Sequence, residues 1–534
     1  MNECYAVLLD TVSIQNYIFR SNKLKENLGA SFLVEQIYDS YLAEALSKIA
    51  KRTPEEEKQH LYEWENSNAD VPECANGVEI GYIGGGNALL FFQQESQAKQ
   101  FIEVWTKILL IQAPGITTAI AIEKFPKGPN QFKTALNSLF IQLRRNKSRY
   151  VPLTLLPRHG ITAECARSEL SAEIYNSDIK DYVSADVNAR IEAADSSKQE
   201  IQFKYQALLQ DKYTFTTELA KLGGVHGEDS HIAIVHIDGN DVGKLFKEAD
   251  SLSYMRTLSK TINGTTQIAF EKIIKLTVER YDDIMASLGF GDANPDPQED
   301  GKCVLPIRPI ILGGDDVTFV CDARLGIYFA KIFIEEFEKT KLNGKKLTAC
   351  AGISIVKTKY PFYRAYWLAE EICANAKARR KKVDESASFL DFHVSMGGVA
   401  GSLKYIRKRF FGFDPRENNG KADEYLLYRP LKVVPKKPFD ELGLDMMLTK
   451  AWQLKKNFPK NKLADLRSVL TRSKDARREF VQNLEYRGLN LPVIEGHQYE
   501  RELFENNITP YFDMLELLRF YPEFALNEIG ENNE

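Results

Sequence analysis

Two adjacent carboxylates, Asp315 and Asp316, follow a Gly313-Gly314 step between the apolar runs Pro309-Ile310-Ile311-Leu312 and Val317-Thr318-Phe319-Val320. Neighbouring acids repel unless solvent or a cation relieves them, and a divalent ion beside a phosphate is the usual functional occasion. A solvent-exposed hairpin tip is the plainer alternative, since Gly and Asp are common in turns. Side chains alternate along a strand, so both acids face one site only if Asp315 stays in the turn and Asp316 begins the strand. A third acid, Asp238, ends the run His231-Ile232-Ala233-Ile234-Val235-His236-Ile237 and precedes Gly239-Asn240-Asp241-Val242-Gly243. Gly239 permits close backbone approach, and a helix opening just after it offers N–H groups to a phosphate. Three carboxylates at one end of a sheet suit Mg2+ (or Mn2+) held jointly with substrate phosphates. Such ions activate a 3′-hydroxyl and stabilise leaving pyrophosphate, so nucleotidyl transfer is the chemistry these residues fit.

Other residues carry weaker signals. Lys377, with Arg380 and Lys381 one turn further, ends a helical pattern and could hold a nucleotide β- or γ-phosphate. Cations there are also favoured by the helix dipole alone. His236 alternates onto the face of Asp238 but reads as a core histidine, and His226, His231 and His393 have no ligand spacing. Asp391, in Phe389-Leu390-Asp391-Phe392-His393, could line a base pocket or punctuate a strand. Asp241 could assist a metal or cap a helix.

The elements that must position these groups occur twice. Tyr5 to Asp10 reads as a buried strand ending in an acid, followed by a helical pattern through Ala45 and a polar insertion from Thr53 to Ala75. Val78 to Phe92 reads as strand, turn and strand around Gly84-Gly85-Gly86-Asn87. A helix near 97–110, a strand 117–122 and a helix near 132–146 with Arg144, Arg145, Lys147 and Arg149 complete the unit. After a polar, helical connector the pattern restarts at His231. A long helical region over 253–288, a loop 289–302, the Gly-Gly-Asp-Asp hairpin, a helix 325–339, a strand 347–356 and a helix 363–381 follow. The tail from about 440 reads as helical.

The spacing supports a duplication. Asp10 to Gly84 is 74 positions and Asp238 to Gly313 is 75; Gly84 to Ala119 is 35 and Gly313 to Ala349 is 36. Each copy reads as an α+β domain with a mixed sheet and helices on one face. The expected organisation is a first domain over 1–158, a helical connector over 159–229, a second domain over 230–430 and a C-terminal helical domain over 431–534. Gly84-Gly85-Gly86-Asn87 keeps the turn of the second copy but lacks its acids. One half therefore reads as catalytic and the other as binding or positioning a nucleotide.

Composition sets outer bounds. The chain has 534 residues, 44% of them apolar and 27% charged, and a formal charge of -4, so any anion site must be local. No apolar run reaches the roughly 20 residues of a membrane span. The N-terminus lacks a signal-peptide layout, and seven scattered cysteines without a C-x-x-C pair fit reduced thiols in a cytoplasm and give no support to zinc.

Taken together, these motifs resemble the large polymerase/cyclase subunit of type III CRISPR effector complexes, within the wider GGDEF-type cyclases and palm-domain polymerases. The resemblance rests on Asp10-Thr11-Val12-Ser13-Ile14-Gln15-Asn16-Tyr17-Ile18-Phe19 and Gly29-Ala30-Ser31, then on Ile237 to Gly243 and Gly313 to Asp316. It continues through Ala351 to Val356, Lys359-Tyr360-Pro361, Leu368 to Glu371 and Ala376-Lys377, covering most of residues 1–430. It implies two ferredoxin-like palm domains that convert ATP into cyclic oligoadenylates, second messengers of antiviral defence, with release of pyrophosphate. Carried over, Asp238, Asp315 and Asp316 would be the catalytic metal ligands. Gly239, Asn240, Gly313, Gly314 and Lys377, with Gly84, Gly85, Gly86 and Asn87 of the acid-free palm, would bind nucleotide. The chain starts at the palm strand, contains no His-Asp dipeptide, and has only Cys165 where a zinc element often lies. The expectation is a shortened form without the family's HD nuclease domain. Expected partners are ATP or other NTPs and either a second copy or CRISPR effector subunits with guide and target RNA, away from membranes. The residues also admit a cyclic dinucleotide synthase using GTP or mixed nucleotides, and a nucleotide-binding scaffold subunit of an RNA-guided complex.

Overall fold

The apolar alternation after Glu3 forms β1 (Glu3–Val12), the centre of an antiparallel sheet with β2 (Val78–Gly84), β3 (Asn87–Phe92) and β4 (Thr117–Pro126) in the order β2-β3-β1-β4. The structure, a computed structural model, describes residues 3–531 apart from 51, 75–76, 129–130, 150–154, 156–159, 224–229, 293, 396, 398–400, 413–423 and 435–442. The expected boundaries at 158/159 and 229/230, and His226, therefore lie at or outside the described residues. The chain divides into two compact units, the first being Met1–Gln206, Asp241–Gln267 and Ile310–Val317, the second the remainder.

In the first unit, β1 leads into α1 (Ile14–Ile18) and α2 (Leu24–Ile37); α3 (Glu95–Gln112) and α4 (Phe132–Arg149) follow β3 and β4. The core is aromatic: Phe91 and Phe125 meet at 5.1 Å, Phe125 and Phe132 at 5.4 Å, and Phe92 and Phe101 at 5.3 Å. These rings bury large apolar areas, and their edge-on pairs add to it. The insertion contains a helix, Pro54–His60, started by a capping box between Thr53 and Glu56. The connector is not purely helical. Ile174–Asn176 and Asp181–Val183 form a short antiparallel pair before α5 (Ala185–Lys204), with Asn176 satisfied by Asn188 at 2.9 Å.

Gly29, whose motif contributed to the resemblance, lies where α2 crosses α5. A Cβ on it would stand 1.8 Å from the Arg190 carbonyl oxygen. Mid-helix glycine costs about 1 kcal/mol against alanine, so backbone approach here is what the residue is for. Gly29→Ala should therefore destabilise the first unit by about 3 kcal/mol, as forced overpacking does, and a thermal melt reads it directly. An unchanged melting temperature would show that the two helices are not closely packed.

The second copy of the repeat carries the same arrangement, its residues 241–267 and 310–317 being counted in the first unit. Its six-stranded sheet runs β6-β7-β5-β8-β9-β10, formed by β5 (His231–Gly239), β6 (Ile307–Gly313), β7 (Asp316–Asp322), β8 (Ala349–Lys357), β9 (Phe389–Val394) and β10 (Leu431–Lys432). Its first four strands follow the order of the first sheet, each copy being an α+β domain. Two further strands extend it: β9 runs parallel to β8, and β10 runs antiparallel to β9. Between β5 and β6 come α6 (Val242–Glu248) and α7 (Leu252–Glu279), and the expected long helix breaks at Arg280 before Tyr281–Ser287. α8 (Gly326–Phe337) and α9 (Phe362–Val383) follow β7 and β8; α10 (Leu403–Phe410) follows β9. The tail is helical, as expected: α11 (Leu444–Asn457), α12 (Lys460–Val469), α13 (Lys474–Tyr486), α14 (Tyr511–Phe520) and α15 (Glu523–Glu531). No helix among the described residues is long and apolar enough to cross a membrane.

Candidate functional site

Within the first unit, two glycine turns line one cavity. The β2–β3 turn carries Gly85 and Gly86 at φ of 60° and 76°. The β6–β7 turn carries Gly314 at φ 60° and keeps Asp315 in the turn, while Asp316 opens β7. This is the division that lets both acids serve one site. A Cβ on Gly314 would stand 3.3 Å from the Gly85 Cα, so the approach and the left-handed backbone both select glycine. Three polar contacts fix the acid-bearing turn: Gln15 Nε2 donates to Asp316 Oδ2 at 3.0 Å, Thr266 Oγ1 donates to the Gly314 carbonyl at 2.5 Å, and Ser31 Oγ donates to the Ile310 carbonyl.

The cavity holds about 210 Å3 and is lined by Gly84, Gly85, Asn87, Gly314 and Asp315 on the turn side. Tyr82, Phe140 and Phe246 form apolar walls, and Ser259, Asn263 and Lys247 supply polar groups. The Tyr82 and Phe246 rings pack at 5.4 Å, and burial pushes the Tyr82 hydroxyl well up, keeping it neutral. The first half of α7 is pinned to this wall. Arg256, 3% exposed, donates to the Gly81 carbonyl at 3.1 Å, the Ile80 carbonyl at 2.8 Å, Glu79 at 2.8 Å and Ser67 at 2.8 Å. Ser259 donates to the Ile83 carbonyl at 2.9 Å. A space of this size, with aromatic walls and a few polar groups, accepts one ring-sized part of a ligand and leaves a phosphate chain outside it.

Each copy also carries a matching ion pair. Lys147 on α4 reaches Asp10 in the first unit, and Lys377 on α9 reaches Asp238 in the second. Burial raises the Asp10 carboxyl, and Lys147 opposes that rise. Burial alone would lower the Lys377 ammonium, but the Asp238 carboxylate more than offsets it, so Lys377 stays charged. Asp238 belongs to the second unit, whereas Asp315 and Asp316 belong to the first. Gly239 ends β5 opposite Ala349, and Asn240 fastens that strand end to Thr348 by bonds of 2.8 and 3.0 Å. Gly313 has open space where a Cβ would lie, and Asn87 Nδ2 folds back to the Gly85 carbonyl at 3.4 Å.

Among the secondary candidates, His236 is a core histidine: it meets Thr318 at 3.2 Å and Tyr366 edge-on, and burial lowers its pKa. His393 is likewise buried and held neutral by burial and by the Arg407 and Arg429 charges. Asp391 takes neither role considered for it. It is fully buried and grips Arg407 at 2.7 and 2.9 Å and Asn375 at 2.8 Å. Asp241 sits at the start of α6 in the left-handed region, makes no side-chain cap, and pairs with Lys244 at 2.7 Å. Arg380 is buried and Lys381 exposed at the end of α9. Gln15, Arg256, Ser259 and Asn263 were not singled out by sequence. Gln15 falls inside the motif at Asp10–Phe19, and the others lie on an ordinary amphipathic helix.

As ligands, Asp315 and Asp316 offer hard carboxylate oxygens. Among the described residues no three His, Cys, Asp or Glu side chains form a metal-ligand group by themselves. Mg2+ does not require one, since it ordinarily takes one or two carboxylates and completes its shell with water and substrate phosphates. The donor set fits that ion.

Comparison with known proteins bears on the second copy. Residues 231–385 match the family model described as Cas10/Cmr2, second palm domain. No curated protein matches the chain. Among solved structures, a Csm1 in T. onnurineus is similar at 14% identity and a TM-score of 0.48, over 99% of this chain and 70% of that one. A Csm1-Csm4 cassette in complex with cA4 gives 14%, 0.48, 99% and 70% in the same order. A cassette in complex with AMPPNP gives 14% and 0.40 over 71% of this chain and 53% of that one, so this chain spans about half the length of that relative.

Proposed function

We propose, from the match of residues 231–385 to the Cas10/Cmr2 second palm domain, that the chain is a nucleotidyltransferase that joins ATP into cyclic oligoadenylates and releases pyrophosphate. The observation that carries this reading is the cavity shared by the acid-free turn at 84–87 and the acid-bearing turn at 313–316. One turn positions a nucleotide without metal ligands, and the other presents two carboxylates beside it. By the offset of the repeat, Asp238 answers to Asp10 and Asp316 to Asn87, which the first copy sets directly opposite one another in its register.

In this reading the aromatic walls, Ser259 and Asn263 take the base, and the left-handed glycines let phosphates approach the backbone. Asp238, Asp315 and Asp316 would hold Mg2+, which when bound supplies acidity at the attacking 3′-hydroxyl and charge neutralisation at the leaving pyrophosphate. Lys377 neutralises Asp238 until nucleotide arrives, and its charged ammonium is then placed to meet a phosphate oxygen. Gln15 acts as a positioning residue, orienting the Asp316 carboxylate through its amide. Incubation with each NTP and Mg2+, followed by mass spectrometry, tests the proposal: cyclic adenylates and pyrophosphate are expected. If no nucleotide condensed under any RNA or partner condition, the reading would be wrong. Cyclic products from GTP or mixed nucleotides would instead identify a cyclic dinucleotide synthase.

Gln15→Ala should lower turnover roughly tenfold with little change in KM, because a misoriented carboxylate affects the reacting geometry more than ground-state binding. Steady-state kinetics separate the two. A rise in KM with unchanged kcat would make Gln15 a binding residue, and Gln15→Asn failing to restore any activity would argue for a structural role.

A further inference from the structure

A second cavity, of about 610 Å3, opens in the second unit where the end of α10 meets the start of α13. Its floor is apolar, from the buried Leu426 and Leu470. Its one acidic lining residue, Glu424, is engaged by Arg477 through two bonds of 2.6 Å, with the Arg477 guanidinium 4.4 Å from the Phe504 ring. That pair cancels its own charge. Three further cations line the opening, Arg409, Arg472 and Lys474, all exposed, and among the described residues none of them pairs with a carboxylate. Asp475 stands in the same first turn of α13 but does not line the space. Beside the cations Phe410 is 51% exposed.

Three clustered cations over a space of ligand size call for a polyanion, and an exposed ring among them calls for a planar group to stack on it. Nucleotides combine both features. An acidic peptide would use the cations but leave Phe410 without a partner. On a chain whose net charge is -4, the cluster is a local departure from the surface average rather than part of a general basic character.

We propose that this cavity is a second nucleotide-phosphate site, separate from the glycine-turn cavity, in which Arg409, Arg472 and Lys474 hold phosphates and Phe410 stacks on a base. The phosphates come either from a free nucleotide or from a single-stranded RNA that passes over the opening. The proposal does not depend on the chain having catalytic activity.

The test uses the full chain, a fluorescent eight-nucleotide RNA read by anisotropy across a salt series, and ATP read by equilibrium dialysis. With Arg409→Ala plus Lys474→Ala, RNA affinity should fall about tenfold or more, and the log–log salt slope should become shallower by about 1.4, for two lost phosphate contacts on a single strand. Phe410→Ala should weaken binding without changing the slope. If RNA binding is unchanged but ATP loses one bound equivalent, the ligand is a free nucleotide and the site stands. If both RNA and ATP bind the variants as they bind the parent, the proposal is overturned. Photo-crosslinking of 4-thiouridine RNA gives a readout independent of folding. Adducts within 404–412 or 470–477 support the site, and adducts confined to other peptides, with ATP stoichiometry unchanged, reject it.

Discussion

Asp315→Ala together with Asp316→Ala should remove nucleotide condensation, by three orders of magnitude or more, while leaving the protein folded. The size follows from the role. Carboxylates that hold a catalytic ion stabilise charge developing only in the transition state, and losing even one such preorganised group costs about 100- to 1,000-fold. Stability should move little. Asp316 loses its bond from Gln15, which costs about 1 kcal/mol, but relief of repulsion between two neighbouring half-buried acids offsets that. Product analysis by mass spectrometry beside a thermal melt checks both halves. Product at the parental rate would sink the site assignment; loss of product with a collapsed melting temperature would mean the turn is structural. Binding of ATP without Mg2+ should survive, because the base is assigned to Tyr82, Phe140 and Phe246 rather than to the acids.

Much of this site could be read from spacing because it is built on turns. Left-handed glycines at 85, 86 and 314 and an acid at the first position of a strand leave a direct signature, and the repeat places each turn a fixed distance after an acid-ended strand. The sheet order confirms that reading in space, since β2-β3-β1-β4 recurs as β6-β7-β5-β8. Groups that act across the sequence left no comparable mark. Gln15 meets Asp316 over a separation of 301 residues, and Arg256 answers carbonyls 175 and 176 positions earlier. A carbonyl has no residue type, so nothing in the sequence announces it as a partner. In the sequence Lys147 is one of several cations at a basic helix end, where dipole and solvation explain them well enough. Its pairing with Asp10 appears only when α4 is laid along β1.

Asp391 shows a different failure of local reading. In a sheet with one open face, a charged residue in a strand points to solvent or to a ligand. Here β9 is flanked by β8 and β10 and is buried along all six of its residues, so the acid had no open face to take. It could be accommodated only because α10 brings Arg407 into the same interior. The strands β9 and β10, which have no counterpart among the described residues of the first copy, therefore convert what resembled a pocket residue into part of a buried charge network.

That network should be the most sensitive point of the second unit. Arg429, with no exposed surface, meets Glu516 at 2.6 Å and Asp513 at 3.3 Å on α14, and its guanidinium lies 3.8 Å over the Phe392 ring of β9. Asp513 in turn accepts the Tyr428 and Arg429 backbone N–H groups at 2.8 Å each. Arg429→Met keeps the volume but strands two buried carboxylates, which should cost about 3–5 kcal/mol. The loss should depend on pH in a definite direction. Burial, helped by the Glu516 charge, raises the Asp513 carboxyl from 3.8 to about 6 even with Arg429 beside it. A carboxyl that binds its proton more tightly folded than unfolded weakens the fold as pH rises between those values. Without Arg429 its folded pKa climbs further, so the penalty grows up to a higher pH. The melting difference between parent and variant should therefore be largest near pH 8 and shrink as pH falls below 6, while Asp513→Asn in the variant background should recover part of it at pH 8. A difference that stays constant across this range would mean that Arg429 contributes through packing on Phe392 rather than through charge.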